Sequence, residues 1–196
     1  EFLQLPEEVL RGALVVAPDV SYLERAYDAA KYGNVSDHPY LEARFPAVHD
    51  PSLAPAGRHA MSILVQWVPY RLRAGAWDPS RRDAVGDLVV RTLGDLLPGF
   101  ATRVVAAQVL TPNDIEERYG ATEGSLTHGE LTLDQILFMR PVPGLSRHAT
   151  PIAGLYLGGA GTHPGMSIPS AARAVHAIVT TRARSRVQTR VPMMTQ

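Results

Sequence analysis

Apolar and polar residues along the first part of the chain follow patterns typical of strands and helices. Short apolar runs, or alternation with a period of two, predict four strands, at residues 12–17, 40–48, 59–68 and 104–110. Apolar residues that repeat at helical spacing predict a helix over residues 79–97, with Asp78 as its N-cap. This part of the chain therefore combines strands with helices.

Two shorter helices are predicted from the residues that begin and end them. Ser21 is followed by Glu24 three positions later, which is the pattern of a capping box, and the helix it starts is expected to end at Gly33. Residues 111–114 predict the start of another helix, which closes at Gly120.

The pattern changes after Gly120. Residues 121–151 form a long stretch punctuated by glycine, threonine and proline, and residues 131–139 are its only sustained apolar part. Loops of this length in compact domains are typically functional or disordered. The apolar and aromatic residues in this one argue against disorder.

The end of the chain has a third arrangement. Residues 154–157 predict a strand that runs into a glycine-rich turn, and a helix follows from about Pro169 to about Arg184. A strand, a glycine-rich turn and a helix N-terminus in this order suit a bound anion or nucleotide. We expect an α+β (mixed α/β) fold: a mixed sheet with flanking helices, and a C-terminal strand, turn and helix that dock elsewhere.

Composition and charge narrow the class of protein. The 196 residues are 45% hydrophobic and 19% charged, as in an ordinary globular protein. Nineteen basic and nineteen acidic residues cancel, so no net charge attracts nucleic acid or an anionic membrane. The absence of cysteine excludes disulfides and cysteine-based metal sites. It is compatible with the cytoplasm, or with the mitochondrial matrix if the protein is eukaryotic.

The first residues predict neither a membrane segment nor a signal peptide. The chain starts with Glu1 and Phe2 rather than methionine, and it contains no apolar run of the length that spans a bilayer. We expect the chain to be a fragment or a processed product.

Two polar residues in the irregular stretch are candidates for proton transfer. His128 and Glu130 could move a proton or orient a substrate, because imidazole and carboxylate groups both act as general acids and bases. The alternative is a hydrogen-bonded histidine and a glutamate that fixes the loop. His163, within the glycine-rich turn, could face a ligand or brace the loop.

The sequence contains no motif typical of a metal site or of a serine hydrolase. The seven histidines show no metal-ligand spacing, and no Gly-x-Ser-x-Gly elbow of a serine hydrolase occurs. A basic tail near the C-terminus could contact phosphate or RNA, although such tails are usually solvated; it contains Arg182, Arg184, Arg186 and Arg190. We expect no metal and no nucleic acid.

Five separated segments resemble the phytoene-desaturase-related oxidoreductases, in particular the branch that contains the pyridine nucleotide-disulfide oxidoreductase-domain proteins. The resemblance extends from near the start to about Ala177. Its segments are residues 22–28 (YLERAYD), 50–55 (DPSLAP), 128–135 (HGELTLDQ), 139–144 (MRPVPG) and 154–165 (GLYLGGAGTHPG).

The resemblance implies an FAD-bound enzyme with a dinucleotide-binding half and a substrate domain. Residues 1–150 would be the substrate-side domain, residues 151–184 the last segment of the FAD-binding domain, and residues 185–196 a tail. The residues it assigns to the cofactor are Gly158, Gly159, Ala160, Gly161, Thr162, His163, Pro164, Gly165, Met166, Ser167 and Ile168.

Two departures from the family pattern matter. The Gly-x-Gly-x-x-Gly dinucleotide loop has no counterpart in this chain, so the part of the site that binds the FAD adenosine and pyrophosphate must come from another polypeptide or be absent. Residues 165–170 also look shortened and poor in glycine, and Met166 and Ile168 carry side chains where the family keeps bare backbone.

Two functions remain open from the sequence. The first is a part of an FAD-dependent oxidoreductase that acts on an apolar substrate by hydride transfer to flavin, in desaturation or isomerisation. The second is a non-catalytic interaction or structural module that has lost flavin binding. The expected partners are an N-terminal dinucleotide-binding half or a separate subunit, and an apolar small molecule. Homo- or hetero-oligomers and peripheral membrane association are further expectations.

Overall fold

A computed structural model describes residues 5–129, 132–165 and 167–188. It divides the chain into two compact units, the N-terminal unit Glu1–Gly124 and the C-terminal unit Ser125–Gln196. The elements of the described residues are α1 (Glu7–Leu10), β1 (Ala13–Val16), α2 (Val20–Lys31), β2 (Tyr40–Arg44), α3 (Pro46–His49), β3 (Ser62–Gln66), α4 (Pro79–Leu96), α5 (Pro112–Tyr119) and α6 (Ser167–Gln188).

The N-terminal unit is built on a three-stranded sheet in the order β1-β2-β3. Both pairings are antiparallel, and Leu41 of β2 lies between Val16 of β1 and Val65 of β3. The α+β class predicted from the sequence is confirmed. The pairing differs from the mixed sheet expected from the sequence, because every strand pair within the described residues is antiparallel.

Helices α2 and α4 cover one face of this sheet. Helix α4 contributes Val89 and Leu93, which are one turn apart on the same side of the helix, and α2 contributes Tyr22. The buried core consists of Val16, Tyr22, Leu41, Val89, Leu93 and Phe100. The Tyr22 hydroxyl donates to the Pro39 carbonyl at 2.9 Å, so its polar end is satisfied inside the core.

The helix starts follow local capping chemistry. Asp78 accepts from the Arg81 amide at 2.8 Å and is the N-cap of α4, as predicted. Helix α5 starts after Thr111, as predicted, and Thr111 forms a full capping box with Asp114. Helix α2 begins earlier than expected. Its N-cap is Asp19, not Ser21, because the extended Asp19 accepts from the Tyr22 amide at 2.7 Å.

Several predicted strands are shorter in the structure or absent. The strand expected over residues 40–48 ends at Arg44, because Pro46 opens α3. The strand expected over residues 59–68 is confined to Ser62–Gln66. Residues 104–110 form no strand, and the stretch 154–157 contributes only an isolated bridge between Ala149 and Tyr156. A strand needs a partner, and within the described residues these segments have at most one paired residue.

The C-terminal unit is irregular up to α6. Its described residues before Gly165 contain only short 3-10 turns, such as Leu133–Gln135 and Leu137–Met139. Helix α6 starts at Ser167, two residues before the predicted start. The assignment of residues 1–150, 151–184 and 185–196 to three functional parts stays a prediction, whereas the two compact units meet at Gly124. None of the helices in the described ranges is both long and apolar enough to cross a membrane.

Two glycines inside α4 allow a matched test of packing. A Cβ built at Gly94 meets nothing within 4 Å, whereas one at Gly86 lies 3.0 Å from Cγ2 of Val109. We expect Gly94→Ala to raise the free energy of unfolding by about 0.5–1 kcal/mol, since alanine loses less backbone entropy in a helix. Gly86→Ala should gain less, or destabilise, because its methyl group crowds Val109. Urea denaturation measures both, and equal gains would contradict the Val109 contact.

The capping box of α5 should make stability depend on pH. The pKa of Asp114 is lowered, first by the Thr111 hydroxyl and amide that donate to its carboxylate, and then by Arg82 at 2.8 Å. A lowered pKa stabilises the fold above the unfolded value and loses that effect as pH falls through the folded value. We expect Asp114→Asn to lower the free energy of unfolding at neutral pH by about 1 kcal/mol.

This difference should begin to shrink below about pH 4, where the carboxylate of the unfolded chain binds a proton, and it should vanish as pH falls through the lowered pKa of the folded state. Denaturant titrations at neutral and acidic pH test the expectation. Asp87→Asn, at an exposed position of α4, is the control and should change stability little at either pH. If the difference between Asp114→Asn and the wild type stays constant with pH, the ionised carboxylate of Asp114 does not stabilise the fold.

Candidate functional site

The glycine-rich turn, residues 158–165, folds into two successive tight turns that we call the glycine bend. The amide of Thr162 donates to the Gly159 carbonyl at 3.1 Å, and the amide of Gly165 donates to the Thr162 carbonyl at 2.6 Å. Gly159 and Gly165 have φ of 96° and 88°, values that residues with a side chain rarely adopt. The bend therefore requires glycine at these two positions.

Side chains from outside the bend hold it at both ends. His148 is 3% exposed, and its Nδ1 lies 3.0 Å from the carbonyl of Leu157, the residue that leads into the bend. At the other end, Ser170 in the first turns of α6 is completely buried, and its hydroxyl donates to the carbonyls of Thr162 and His163 at 3.3 and 3.1 Å. The ends of the bend are thus fixed by hydrogen bonds to its backbone.

Arg140 holds the middle of the bend. Its side chain is 2% exposed, and Nε donates to the Ala160 carbonyl at 3.0 Å. Nη2 donates to the carbonyls of Thr127 and His128 at 3.2 and 3.0 Å. A buried guanidinium is tolerated only when its donors are satisfied, so the bend and residues 127–128 are tied to one planar group.

The structure brings His128, a predicted catalytic residue, next to the bend. A Cβ built at Gly161 lies 3.6 Å from Cβ of His128, so the missing side chain of this glycine allows the close approach. His128 has a left-handed backbone with φ of 56°, and it is exposed. Glu130, its predicted partner, lies outside the described residues, and the catalytic role of the pair stays a prediction.

Helix α6 packs against the bend at Gly158. A Cβ at Gly158 would lie 3.5 Å from Cβ of Ala174 and 3.9 Å from Cα of Ala171, which is ordinary contact. Ile168 is 83% exposed at the start of the helix. Of the other predicted cofactor residues, Met166 and the side chain of Ser167 lie outside the described part of the chain. Pro164 lies within the bend and is partly buried.

The bend contains backbone amides without a hydrogen-bond partner, and it has open space beside Gly159. No atom lies within 4 Å of the position where Gly159 would carry a Cβ. Within the described residues, the amides of Gly159, Ala160 and Gly161 donate to no carbonyl, and the buried Nδ1 of His163 makes no hydrogen bond. Buried polar atoms normally have partners. Bare backbone with free amides fits a planar group that carries or gains negative charge, as a flavin does.

One acidic side chain of the C-terminal unit, Asp134, has a pKa that is shifted by contacts within its own turn. The pKa of Asp134 is lowered, first because the Thr132 hydroxyl donates to its carboxylate at 2.6 Å and then because its own backbone amide does so. These contacts fix the turn Leu133–Gln135. In the parts of the chain that the structure describes, no three potential metal ligands come together.

Sequence reasoning missed three residues that hold the bend: Arg140, His148 and Ser170. In the sequence, Arg140 stands only within a motif, His148 is one of several scattered histidines, and Ser170 ends a shortened loop. The position of Arg140 could have indicated burial, because this arginine directly follows the one sustained apolar run of the irregular stretch. Long-range hydrogen bonds to carbonyls leave no pattern that identifies such a partner.

Sequence comparison with known proteins identifies relatives of the chain. The chain is 39% identical over 155 residues to pyridine nucleotide-disulfide oxidoreductase domain-containing protein 2 of Rattus norvegicus, in a match that covers 79% of the chain and 27% of that protein. It is 37% identical over 142 residues to 4,4'-diapophytoene desaturase (4,4'-diaponeurosporene-forming) of Staphylococcus haemolyticus, which covers 70% of the chain and 27% of the relative. No protein-family model matches the chain.

The chain spans about a quarter of the length of the curated relatives it matches. One relative is a mammalian protein named for an oxidoreductase domain, and the other is a bacterial desaturase. Each match extends over at least 70% of this chain. The chain therefore belongs to the family of phytoene desaturase-related oxidoreductases.

Proposed function

We propose that the chain is the C-terminal part of an FAD-dependent oxidoreductase. It acts with a dinucleotide-binding half on an apolar substrate, by hydride transfer to flavin in a desaturation or an isomerisation. The observation that carries this proposal is the glycine bend, with its free amides and its open side at Gly159. Family membership supports the oxidoreductase class.

The residues that would hold the cofactor are those of the bend. FAD, when bound, supplies the acceptor for a hydride. The amides of Gly159, Ala160 and Gly161 are the donors available to its electron-accepting end, and His163 offers a further polar atom. Because these donors are held in place before the ligand arrives, they stabilise negative charge without reorganisation. Arg140 keeps this geometry by fixing the Ala160 carbonyl.

His128 is the polar side chain best placed to act beside the bend. Arg140 binds both the His128 carbonyl and the Ala160 carbonyl, so the spacing between the histidine and the bend is set by one rigid group. An exposed imidazole at this point can orient a substrate or exchange a proton with water.

The C-terminal unit offers a surface for the missing half of the flavin site. Ile168, Val175 and Val179 repeat at helical spacing along α6 and are all more than half exposed. Leu133, Leu137 and Phe138 are also exposed in the irregular stretch. Exposed apolar side chains that share one side of a helix are typical of a binding site for another polypeptide. A dinucleotide-binding half or subunit is the proposed occupant.

The substrate class is proposed to be apolar on the basis of the N-terminal unit. The aromatic rings of Tyr27 and Tyr40 lie 5.6 and 6.2 Å from the ring of Trp67, at one end of the sheet. Val15 and Leu64 are both paired with Glu42, on the sheet face opposite the core, and both are exposed. Aromatic and aliphatic groups of this kind suit a hydrocarbon ligand.

The alternative function is an interaction or structural module without flavin. The exposed apolar side of α6 favours it as well, because a partner protein could occupy that side whether or not a cofactor is present. Oligomer formation and peripheral membrane association also stay proposals. The two functions differ in one measurable property, which is bound flavin.

Flavin binding can be tested in a reconstituted complex. The chain is co-expressed with the complementary polypeptide, defined as the part of the rat relative outside the matched 155 residues, and the visible spectrum of the purified complex is recorded. We expect flavin absorption from the complex. Gly159→Ala should abolish it, because a methyl group then fills the open side of the bend and alanine is strained at φ of 96°.

Gly154→Ala is the matched control. Gly154 also has a positive φ, 82°, with nothing within 4 Å of its Cβ position, but it lies before the bend. Both variants should lose about 1–2 kcal/mol from backbone strain, and only Gly159→Ala should lose flavin. A colourless wild-type complex would favour the interaction module instead.

The guanidinium of Arg140 should determine the order of the bend. We expect Arg140→Lys to lower the free energy of unfolding by about 1–3 kcal/mol, since an ammonium group cannot satisfy carbonyls on two sides of a planar fork. Amide hydrogen exchange should accelerate at residues 158–165. The exposed Arg147→Lys is the control and should leave both quantities unchanged. Unaltered exchange in Arg140→Lys would show that the bend is held by other contacts.

A further inference from the structure

Residues 104–110 of the N-terminal unit, which we call the open segment, form neither helix nor strand. Their sequence, VVAAQVL, is rich in β-branched and apolar residues and predicts a strand. The three strands of the described sheet already pair with one another in the order β1-β2-β3. The segment therefore has the composition of a strand but no partner in the described sheet.

The backbone of the open segment is unused. The amide of Val104 donates to the Ala101 carbonyl at 3.4 Å, and the next backbone bond belongs to the capping box at Thr111. Within the described residues, no backbone group between Val105 and Leu110 takes part in a hydrogen bond. Six successive residues thus offer donors and acceptors that a neighbouring strand could use.

The open segment is exposed yet fixed at both ends. Val105 is 75% exposed, and Ala106 and Ala107 are exposed beside it. Phe100 is buried in the core before the segment, and Thr111 is buried after it. Near its C-terminal end, Val109 contacts α4 at Gly86. An apolar run held at fixed ends with free backbone is a template for strand addition.

We infer that the open segment pairs edge to edge with a strand from the part of the relatives' length that lies outside the match. About three quarters of the length of those relatives lies outside the match, which is ample sequence for such a strand. The pairing satisfies the free backbone groups and covers Val105. This inference concerns the N-terminal unit and goes beyond the proposed function, because it requires no flavin.

Amide hydrogen exchange tests the pairing residue by residue. It is measured on the full chain alone and on its complex with the complementary polypeptide defined above. In a strand, the amides of alternate residues point to the same edge. We expect every second amide of the open segment to exchange about tenfold or more slowly in the complex than in the chain alone. Exchange that is equally fast in both samples overturns the inference.

Proline substitutions at neighbouring positions supply a matched pair. Ala106→Pro and Ala107→Pro each remove one amide, and only one of these two amides can face the added strand. Both variants should keep the thermal midpoint of the chain alone, since neither amide is bonded there. One of them should weaken the complex about tenfold more than the other, in agreement with the protected set of amides. Equal effects of the two prolines contradict strand pairing.

Two controls separate strand pairing with the complementary polypeptide from self-association and from flavin binding. Protection that grows with the concentration of the chain alone would identify a second copy as the occupant and overturn the proposal. The visible spectrum of each complex is recorded in parallel. A colourless complex with a protected open segment refutes flavin binding and supports the strand pairing. A yellow complex with an unprotected open segment supports flavin binding and refutes the strand pairing.

Discussion

The buried guanidinium of Arg140 is the constraint on which the arrangement of the C-terminal unit depends. It donates to carbonyls from two segments that lie far apart in sequence, Ala160 on one side and Thr127 and His128 on the other. Neither segment belongs to a helix or a strand, so no backbone ladder holds them together. Loss of any one bond would leave a buried charge partly unsatisfied, and this cost keeps the three contacts together.

The two units are stabilised by different means. The N-terminal unit has a conventional core, in which Leu41 and Leu93 are fully buried between a sheet and its helices. The irregular part of the C-terminal unit instead uses side chains that bind carbonyls, such as His148 at Leu157. Such contacts fix backbone geometry but bury little apolar area, and Leu133 and Phe138 remain exposed. The irregular part of this unit therefore holds the bend through hydrogen bonds to carbonyls rather than through an apolar core.

The success of sequence reasoning depended on whether a signal was local. The N-cap of α4 at Asp78 and the start of α5 after Thr111 are predicted correctly, because the residues that cap a helix are its own neighbours in sequence. The capping box predicted from Ser21 is wrong, because Asp19 caps α2. Residues 104–110 and 154–157 have strand composition, but a strand also needs a partner that composition does not specify. The glycine bend was recognisable from its residues. The hydrogen bond from Arg140 to the Ala160 carbonyl was not recognisable, because it joins positions twenty residues apart through one side chain.

The glycine bend and the open segment follow from the same physical rule. Backbone donors and acceptors are normally paired in a finished structure, and places where several successive groups lack partners are few. Within the described residues, the amides from Gly159 to Gly161 and the backbone from Val105 to Leu110 are two such places. In the bend, positive φ and missing side chains are the features on which the proposal of a flat ligand rests. In the open segment, β-branched residues favour another strand. The two proposals therefore differ in the kind of partner because the local side chains differ.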